Sequence, residues 1–333
     1  MERGTTLQEL ADQLAIPVIA ASGAAFCNFP TDHPLWLGYG SYQHLADADL
    51  VLLVGGRTPW YPPSKRVTAG KIVAVHDHPQ KEWLIYQNLQ ADEYLEGDSA
   101  GTLKMLARQT GATGLDTASI ETRRARWAAE HQRMDAQLQS DRSDALSKER
   151  LGVRSICGIV AEVMPDDTIF VDETLSHSIP LRRYLPLTQP QSFFRHGGGL
   201  GQGIGMALGI KLAAPHRHTV LFVGDGSMLY NPIIAALGAS RDHALPLLIV
   251  VLNNNSYASM KSGHEKHYPS GLASRTEFAY GVAIDTPPFE DFGKHFGFGG
   301  TRVESPAEFS TALRQGLKEL EAGRSSIINA IVD

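Results

Sequence analysis

Residues 219–257 read TVLFVGDGSMLYNPIIAALGASRDHALPLLIVVLNNNSY and contain two apolar runs that each end in polar residues. Asp225 lies between two glycines after the first run, and Asn254 lies among the asparagines after the second. Continuous apolar runs are typical of strands that are buried on both faces of a parallel sheet. Because ligands bind beyond the carboxyl ends of such strands, the stretch predicts a binding site that contains Asp225 and Asn254.

Strands and helices alternate along the rest of the chain. PVIAAS, DLVLLVGG and KIVAVHD read as strands in the first third, and TIFVDE and SSIINAIVD do so in the second half. This alternation predicts an α/β fold with two doubly wound parallel-sheet domains, over residues 1–115 and 151–333, joined by a charged helical linker over residues 116–150. Capping boxes predict helix starts at Thr6 and Ser305.

Composition and charge exclude several classes of protein. The net charge of −6 does not suggest a nucleic-acid partner, and no apolar run reaches the length of about 18 residues that spans a membrane. The first ten residues lack the apolar core of a signal peptide. The only two cysteines, Cys27 and Cys157, suit a reducing cytoplasm and exclude a four-cysteine iron–sulfur cluster held by this chain alone.

The polar residues after the two apolar runs favour a cation beside an anion. A carboxylate at Asp225 and an amide oxygen at Asn254 are hard ligands that suit Mg²⁺ or Ca²⁺. Gly224 and Gly226 allow a sharp turn and close approach to a ligand. Ser227 and the following amides open a helix, where an anion is favoured. A tight turn and strand-capping asparagines explain either half alone, but the two halves together favour a divalent metal beside a phosphate.

The spacing of these motifs resembles that of thiamine diphosphate (ThDP)-dependent enzymes. The GDG triplet at 224–226 is followed, after 26 residues, by the asparagine pair at 253–254. The resemblance implies that Asp225, Asn254 and the backbone carbonyl of Ser256 bind Mg²⁺, which in turn holds the diphosphate. It also implies a middle domain and a diphosphate-binding (PP) domain as the two α/β units.

The segment RHGGGLGQGIGMALG does not fit a dinucleotide fingerprint in any register, but it resembles the GGLG segment of benzoylformate decarboxylase-like enzymes. That resemblance implies that Leu200 is an apolar wedge that bends the cofactor, with the carbonyl of Gly198 near the cofactor's 4′-amino group. A second interpretation is a helix with a glycine face packed closely on a neighbour. We expect both to hold, with Gly201, Gly205 and Gly209 on that face.

Two further segments resemble the same enzymes. CNFPTDHPLWLGYG resembles the middle domain of the acetolactate synthase and benzoylformate decarboxylase group, which implies a catalytic role for His33. A structural loop histidine is the alternative. DETLSH resembles a region that touches the diphosphate and makes Ser176 a candidate contact, although a plain helix cap explains Ser176 equally well.

The residues after the asparagines are candidates for the substrate pocket. Tyr257 follows the metal ligands and is expected to contact the cofactor, with Ser259 and Met260 on the substrate side. By resemblance to benzoylformate decarboxylase, Met260 matches an apolar pocket position, and core packing is its alternative. Gly263 stands where that enzyme has an aromatic ring, so a roomier pocket is expected.

The resemblance covers only the middle and diphosphate-binding domains of the family. No glutamate here matches the one that activates the cofactor's aminopyrimidine ring. We therefore expect a second polypeptide with the pyrimidine-binding domain and that glutamate, in a heterotetramer. The expected reaction makes or breaks a C–C bond next to the carbonyl of a small 2-oxo acid, aldehyde or acyloin.

Two other functions remain open at this point. The chain could hold ThDP as a non-catalytic regulatory or structural subunit, or it could be a subunit of a 2-oxo acid oxidoreductase. The middle domain and the lack of a cysteine cluster argue against the oxidoreductase. FAD stays open as a further cofactor of the middle domain, although no residue indicates it.

Overall fold

The computed structural model describes most of the chain, namely residues 2–21, 24–40, 42–55, 70–78, 91–112, 114–195, 198–276 and 281–332. The chain forms two compact units. Unit 1 comprises Met1–Gln137 with Leu187–Gln191, and unit 2 comprises Leu138–Pro186 with Ser192–Asp333. Each unit is described separately below.

Unit 1 contains two small parallel sheets and helices. One sheet pairs β1 with β2, and the other has the order β3-β4-β5. Aromatic and aliphatic side chains, including Phe29, Trp36 and Trp127, form its main core. The strands are β1 (Val18–Ala20), β2 (Trp36–Tyr39), β3 (Leu50–Val54), β4 (Lys71–His76) and β5 (Glu93–Glu96), and the helices are α1 (Glu2–Leu14), α2 (Ser99–Ala112) and the first part of α3 (Thr117–Leu146).

Unit 2 is built on a six-stranded parallel sheet with the order β10-β11-β9-β8-β6-β7. Every residue of β6 and β9 is buried, as the continuous apolar runs predict. The strands are β6 (Ile169–Glu173), β7 (Phe193–Arg195), β8 (Thr219–Gly224), β9 (Leu248–Asn253), β10 (Gly299–Val303) and β11 (Ser326–Ile331). The helices are α4 (Val153–Val163), α5 (Ser178–Tyr184), α6 (Gly203–Ala213), α7 (Asp225–Tyr230), α8 (Ile233–Asp242), α9 (Ala258–His267), α10 (Leu272–Thr276) and α11 (Pro306–Glu321). The predicted α/β fold with parallel sheets is confirmed.

The two predicted helix starts have different outcomes. Ser305 caps α11 as expected, because its hydroxyl accepts a hydrogen bond from the Glu308 amide at 3.4 Å while the Glu308 carboxylate accepts one from the Ser305 amide at 3.1 Å. The predicted start at Thr6 is wrong. The first helix already begins at Glu2, and Thr6 is only 6% exposed inside it. Because Thr6 is itself buried inside the helix, it does not serve as the cap that the local signal predicts.

The segment predicted to be a charged helical linker is largely one helix of 30 residues, Thr117–Leu146. Its apolar side chains Ile120 and Trp127 are buried, so one face belongs to a core. The boundary between the two units falls inside this helix, after Gln137. Within the part of the chain that the structure describes, no helix is long and apolar enough to span a membrane.

Candidate active site

A pocket that is open to solvent lies in unit 2 where β8 and β9 end. These strands are hydrogen-bonded neighbours, with Gly224 opposite Leu252. The parallel register therefore brings the polar residues after both strands to one edge of the sheet, as predicted. The pocket is lined by Thr174, Leu175, Ser176, His177, Leu200, Gly224, Asp225, Gly226, Ser227, Leu252, Asn254, Ser256, Tyr257, Ala258 and Ser259.

Asp225 is the first residue of α7 and is only 4% exposed. Its carboxylate accepts hydrogen bonds from the Gly226 amide at 2.7 Å and from the Ser256 amide at 3.2 Å. Burial raises the pKa of the Asp225 carboxyl, while these backbone donors oppose the rise. A divalent cation at this carboxylate would favour its ionised form. Asp225 is thus a buried anion that joins the loops after two neighbouring strands.

The three consecutive asparagines have three different environments. Asn253 is buried, and its amide nitrogen donates to Asn329 and to Thr286, at 3.1 Å in each case. The Asn254 side-chain oxygen accepts from the Ser256 amide at 3.1 Å, the same amide that binds Asp225. Asn255 turns the chain in the left-handed conformation at φ 51°. Asn254 therefore lines the pocket, whereas Asn253 anchors the strand end.

The two glycines that flank Asp225 are not equivalent. Gly224 has ordinary extended backbone angles, φ −72° and ψ 153°, so the turn there does not require glycine. A Cβ atom at Gly226, in contrast, would lie 2.5 Å from Cε1 of Tyr257. The expected close approach is therefore found at Gly226, and it involves an aromatic ring of the protein. Because α7 has only six residues, its dipole contributes little to binding of an anion near Ser227.

Leu200 lines the pocket from a loop of glycines. Gly199 and Gly201 adopt φ values of 79° and 86°, which only glycine tolerates well, and a Cβ at Gly201 would lie 2.3 Å from the Tyr230 carbonyl. The Gly198 carbonyl accepts a hydrogen bond from the Gln202 side chain at 3.0 Å, and Gly198 does not line the pocket. His196 and Gly197 of this segment lie outside the described residues.

Of the three glycines expected on the closely packed face, only Gly201, which lies two residues before α6, meets a close neighbour. Gly201 contacts Tyr230, whereas a Cβ added at Gly205 or at Gly209 would meet nothing within 4 Å among the described residues. The expectation for these two glycines is thus wrong for this chain. Both lie on the exposed side of the helix.

Ser176 and His177 line the pocket from a 3₁₀ turn, Leu175–His177, that follows β6. Leu175 starts this turn in the left-handed region at φ 53°, which is unusual for leucine. The Nε2 atom of His177 is buried and has no hydrogen-bond partner among the described residues. Burial lowers the pKa of His177, which the nearby Asp172 carboxylate partly opposes. Sequence reasoning missed His177, although it directly follows the candidate Ser176.

The other candidate residues close to Asp225 and Asn254 in the sequence divide into two groups. Ser227, Tyr257 and Ser259 line the pocket, and their contacts with cofactor or substrate stay predictions. Met260 is 68% exposed and does not line it, so core packing does not explain this residue in the described chain. A Cβ at Gly263 would meet nothing within 4 Å. The role of Met260 in substrate binding stays a prediction.

His33 lies in unit 1, where both of its ring nitrogens have partners. Nδ1 accepts a hydrogen bond from the Leu35 amide at 3.2 Å, and Nε2 lies 3.2 Å from the Asp12 carboxylate. The ring also packs edge-on against Phe29. These contacts favour the structural loop histidine over a catalytic group. The catalytic role of His33 stays a prediction.

The pocket residues fit a divalent metal with a diphosphate. Side-chain oxygens of Asp225 and Asn254 with the Ser256 carbonyl form a hard oxygen donor set, and the orphaned Nε2 of His177 suits a phosphate oxygen. The described residues contain no group of three or more His, Cys, Asp or Glu side chains that could hold a metal. A donor set with a single carboxylate would leave the remaining positions to phosphate and water oxygens.

Comparisons with known proteins agree with this geometry. The family model for the central domain of thiamine pyrophosphate enzymes matches residues 2–106, and that for their C-terminal TPP binding domain matches residues 176–330. Benzoylformate decarboxylase of Pseudomonas aeruginosa is 29% identical over 266 residues, which are 76% of this chain and 46% of that protein. The acetolactate synthase isozyme 3 large subunit of Escherichia coli is 23% identical over 348 residues, with coverages of 98% and 56%.

A solved structure supports the fold. The ThDP-dependent 4-hydroxybenzoylformate decarboxylase of Rhodococcus jostii RHA1 matches 99% of this chain and 58% of its own, with a TM-score of 0.78 and 23% identity. The chain spans about half the length of the curated relatives named above. Two family models match the two α/β regions of the chain, and the relatives named above match it as well. The chain therefore belongs to the family of thiamine diphosphate-dependent enzymes.

Proposed function

We propose that this chain supplies the metal- and diphosphate-binding side of a ThDP- and Mg²⁺-dependent lyase or carboligase that acts on 2-oxo acids, aldehydes or acyloins. One observation carries the proposal. Asp225 and Asn254, from loops after neighbouring strands, both bind the amide of Ser256 inside a pocket that also contains Leu200. When bound, ThDP supplies an electron sink for a carbanion formed next to a carbonyl.

Different residues of the chain would bind the metal, the diphosphate and the rest of the cofactor. Asp225, Asn254 and the carbonyl of Ser256 would hold Mg²⁺ and thereby anchor the diphosphate. His177 would donate to a phosphate oxygen from its buried Nε2, since this atom has no other partner among the described residues. Leu200 would exclude water and restrict the shape of the bound cofactor.

The smaller polar and aromatic residues would complete the pocket. Ser176 and Ser227 both line the pocket, and their hydroxyls would face the diphosphate, as their motifs imply. Tyr257 packs against Gly226 and so forms the part of the pocket wall next to Asp225. Ser259 and Met260 would face the substrate.

We further propose that a second polypeptide carries the pyrimidine-binding domain and the activating glutamate, in a heterotetramer with two copies of each chain. Large apolar side chains beside the pocket support this proposal. Leu175 lines the pocket and is half exposed, and Ile179, Tyr230 and Met260 are more exposed still. Such apolar side chains around a polar pocket are typical of surfaces that another protein covers.

The two cysteines support a proposal about the cellular compartment. Cys27 and Cys157 are both buried, and both remain thiols in the structure. We propose a reducing cytoplasm as their surroundings. Labelling of the native protein in cell fractions with an antibody tests this part independently.

The experiment is reconstitution. The purified chain, with ThDP and Mg²⁺, is assayed for decarboxylation and carboligation of aryl and alkyl 2-oxo acids, alone and with the polypeptide that co-purifies with it. We expect turnover only from the mixture, because the lone chain lacks a matched activating glutamate. Turnover by the lone chain would refute the need for a partner. ThDP binding without turnover in the complex would instead support a non-catalytic subunit.

A further inference from the structure

Two adjacent carboxylates at the end of β6 organise the two loops that line the pocket. Asp172 and Glu173 are both buried, and Glu173 is only 1% exposed. Because successive side chains of a strand point in opposite directions, the two carboxylates leave β6 on different sides. The Asp172 carboxylate accepts hydrogen bonds from the Thr174 amide at 2.9 Å and from the hydroxyls of Thr174 and Ser178. It thus holds the turn that carries His177.

Glu173 binds the start of α6. One carboxylate oxygen accepts from the amides of Gly201 at 2.7 Å and Gln202 at 3.0 Å, and the other accepts from the Gly203 amide at 2.9 Å. The first amides of a helix have no partner inside the helix, so the carboxylate satisfies those of Gln202 and Gly203 and, in addition, the amide of Gly201 just before the helix. A Cβ at Gly203 would lie 2.4 Å from the carboxylate, which explains why glycine stands there.

Asn231 also binds Glu173 and connects it to α7, the helix that begins at the proposed metal ligand Asp225. Its amide nitrogen donates to Glu173 at 2.7 Å and to the Ser227 carbonyl at 2.9 Å. Its side-chain oxygen accepts from the Ile204 amide at 3.0 Å. Ser227 lies two residues after Asp225. Hydrogen bonds of Asn231 therefore connect Ser227, in α7, with the first turn of α6.

We propose that Glu173 is the positioning residue of Leu200. Leu200 lies between two glycines with positive φ, so its own backbone gives the loop little rigidity, and the fixed amides immediately after it must supply that rigidity. Glu173 does not line the pocket. It would act on the cofactor only through Leu200 and, by way of Asn231, through α7. The role in cofactor binding rests on the proposed function, whereas the anchoring of the loop does not.

The test is hydrogen–deuterium exchange on the full chain without cofactor, resolved to single amides by fragmentation. Glu173→Gln keeps the shape but turns an NH₂ group toward the Gly203 amide and Asn231. Because hydrogen bonds to charged groups are strong, we expect exchange of the amides at 201–204 to accelerate by roughly 10- to 100-fold. Amides of β8 and β9 should keep their rates. Asp172→Asn is the matched control, since it should accelerate exchange at 174–178 and leave 201–204 unchanged.

A reciprocal substitution tests the same contact from the other side. Asn231→Asp puts two carboxylates together and should also accelerate exchange at 201–204. The double variant Glu173→Gln/Asn231→Asp restores one donor–acceptor pair, so it should recover protection at 201, 202 and 204, while the Gly203 amide, which faces the new NH₂ group, should keep its faster exchange. If Glu173→Gln does not fold, Asn231→Asp and the double variant decide. Unchanged exchange at 201–204, or equal acceleration throughout unit 2, would overturn the proposal.

The outcome is separate from that of the proposed function. Exchange is measured without ThDP, so the loop result does not depend on any activity. The proposed function fails if the wild-type complex binds no ThDP with Mg²⁺ in calorimetry. An anchored loop in a complex that binds no cofactor would leave the role of Glu173 as loop anchor intact and remove its role in cofactor binding.

Discussion

A Cβ atom on Gly226 would lie 2.5 Å from Cε1 and 2.8 Å from Cδ1 of Tyr257. The ring of Tyr257 therefore leaves room only for glycine at position 226. Both residues line the pocket, and Gly226 directly follows the candidate metal ligand Asp225. At Gly224, on the other side of Asp225, a Cβ would be 3.6 Å from its nearest neighbour, which is an ordinary contact. The position of Asp225 therefore depends on Gly226 and on the Tyr257 ring that packs against it.

The first prediction follows from this contact. Gly226→Ala should lower the free energy of unfolding by about 1–3 kcal/mol, because a rigid ring and a new methyl group compete for the same space. Urea unfolding of the purified chain measures it. Tyr257→Ala in the same chain should recover most of the loss, so a double-mutant cycle without coupling would contradict the contact. Gly209→Ala is the matched control: nothing lies within 4 Å of its Cβ, and it should stabilise α6 by roughly 0.5–1 kcal/mol.

The second prediction concerns the buried carboxylate. Asp225→Asn preserves the shape but removes the single protein anion of the proposed donor set. The affinity of the complex for ThDP with Mg²⁺ should fall by more than about 100-fold, since this exceeds what substitution of an outer-shell partner costs. Calorimetry on the reconstituted complex measures it. Asp242→Asn, an exposed carboxylate at the end of α8, should leave the affinity unchanged. Equal affinities for wild type and Asp225→Asn would show that the metal assignment is wrong.

The strands and the pocket edge could be predicted from the sequence because they depend on local patterns. Continuous apolar runs identify β8 and β9, and the parallel sheet brings their ends together. Asp225 and Asn254 follow from that rule alone. The start of α1 could not be predicted in the same way. The capping box at Thr6 is a local signal, whereas tertiary packing buries Thr6 inside a helix that begins at Glu2.

The supporting residues could not be predicted because their partners are distant in the sequence. The amides that Glu173 binds lie 28–30 residues later, and Asn231 lies 58 residues later. No periodicity or motif encodes such contacts. His177 has a weaker signal, its position next to Ser176, but only the structure shows that its Nε2 is buried without a partner among the described residues.

The third prediction concerns Leu200. If this side chain restricts the shape of the cofactor, it affects the geometry of the reacting groups more than the affinity. Leu200→Ala should lower kcat of the complex by about 10- to 100-fold, since small misplacements of reacting groups have effects of this size. The dissociation constant of ThDP should change by much less. Leu200→Met, which conserves the volume, is the control. A Leu200→Ala complex with wild-type kcat would contradict the role.

The fourth prediction concerns substrate selection. Met260 is 68% exposed in this chain and would be covered when a partner completes the pocket. Met260→Ala should shift the ratio of kcat/KM toward bulkier 2-oxo acids by roughly 10- to 200-fold, the range for a change of this size in an apolar pocket. Met105→Ala is a matched control, because Met105 is equally exposed, at 66%, on a helix of unit 1. An unchanged substrate profile would remove Met260 from the pocket.

The fifth prediction concerns pH and Cys157, which is fully buried on α4. Burial raises the pKa of its thiol from 9.0 to about 12, against a smaller opposing effect of Arg142. The folded pKa exceeds the unfolded one, so this contribution to stability is complete below pH 9 and is lost as the pH rises toward 12. Relative to Cys157→Ala, the wild-type free energy of unfolding should fall by about 1.4 kcal/mol more between pH 8 and pH 10. Urea titrations of both chains measure the difference. Parallel pH profiles would mean that the thiol ionises equally well in the folded and unfolded chain.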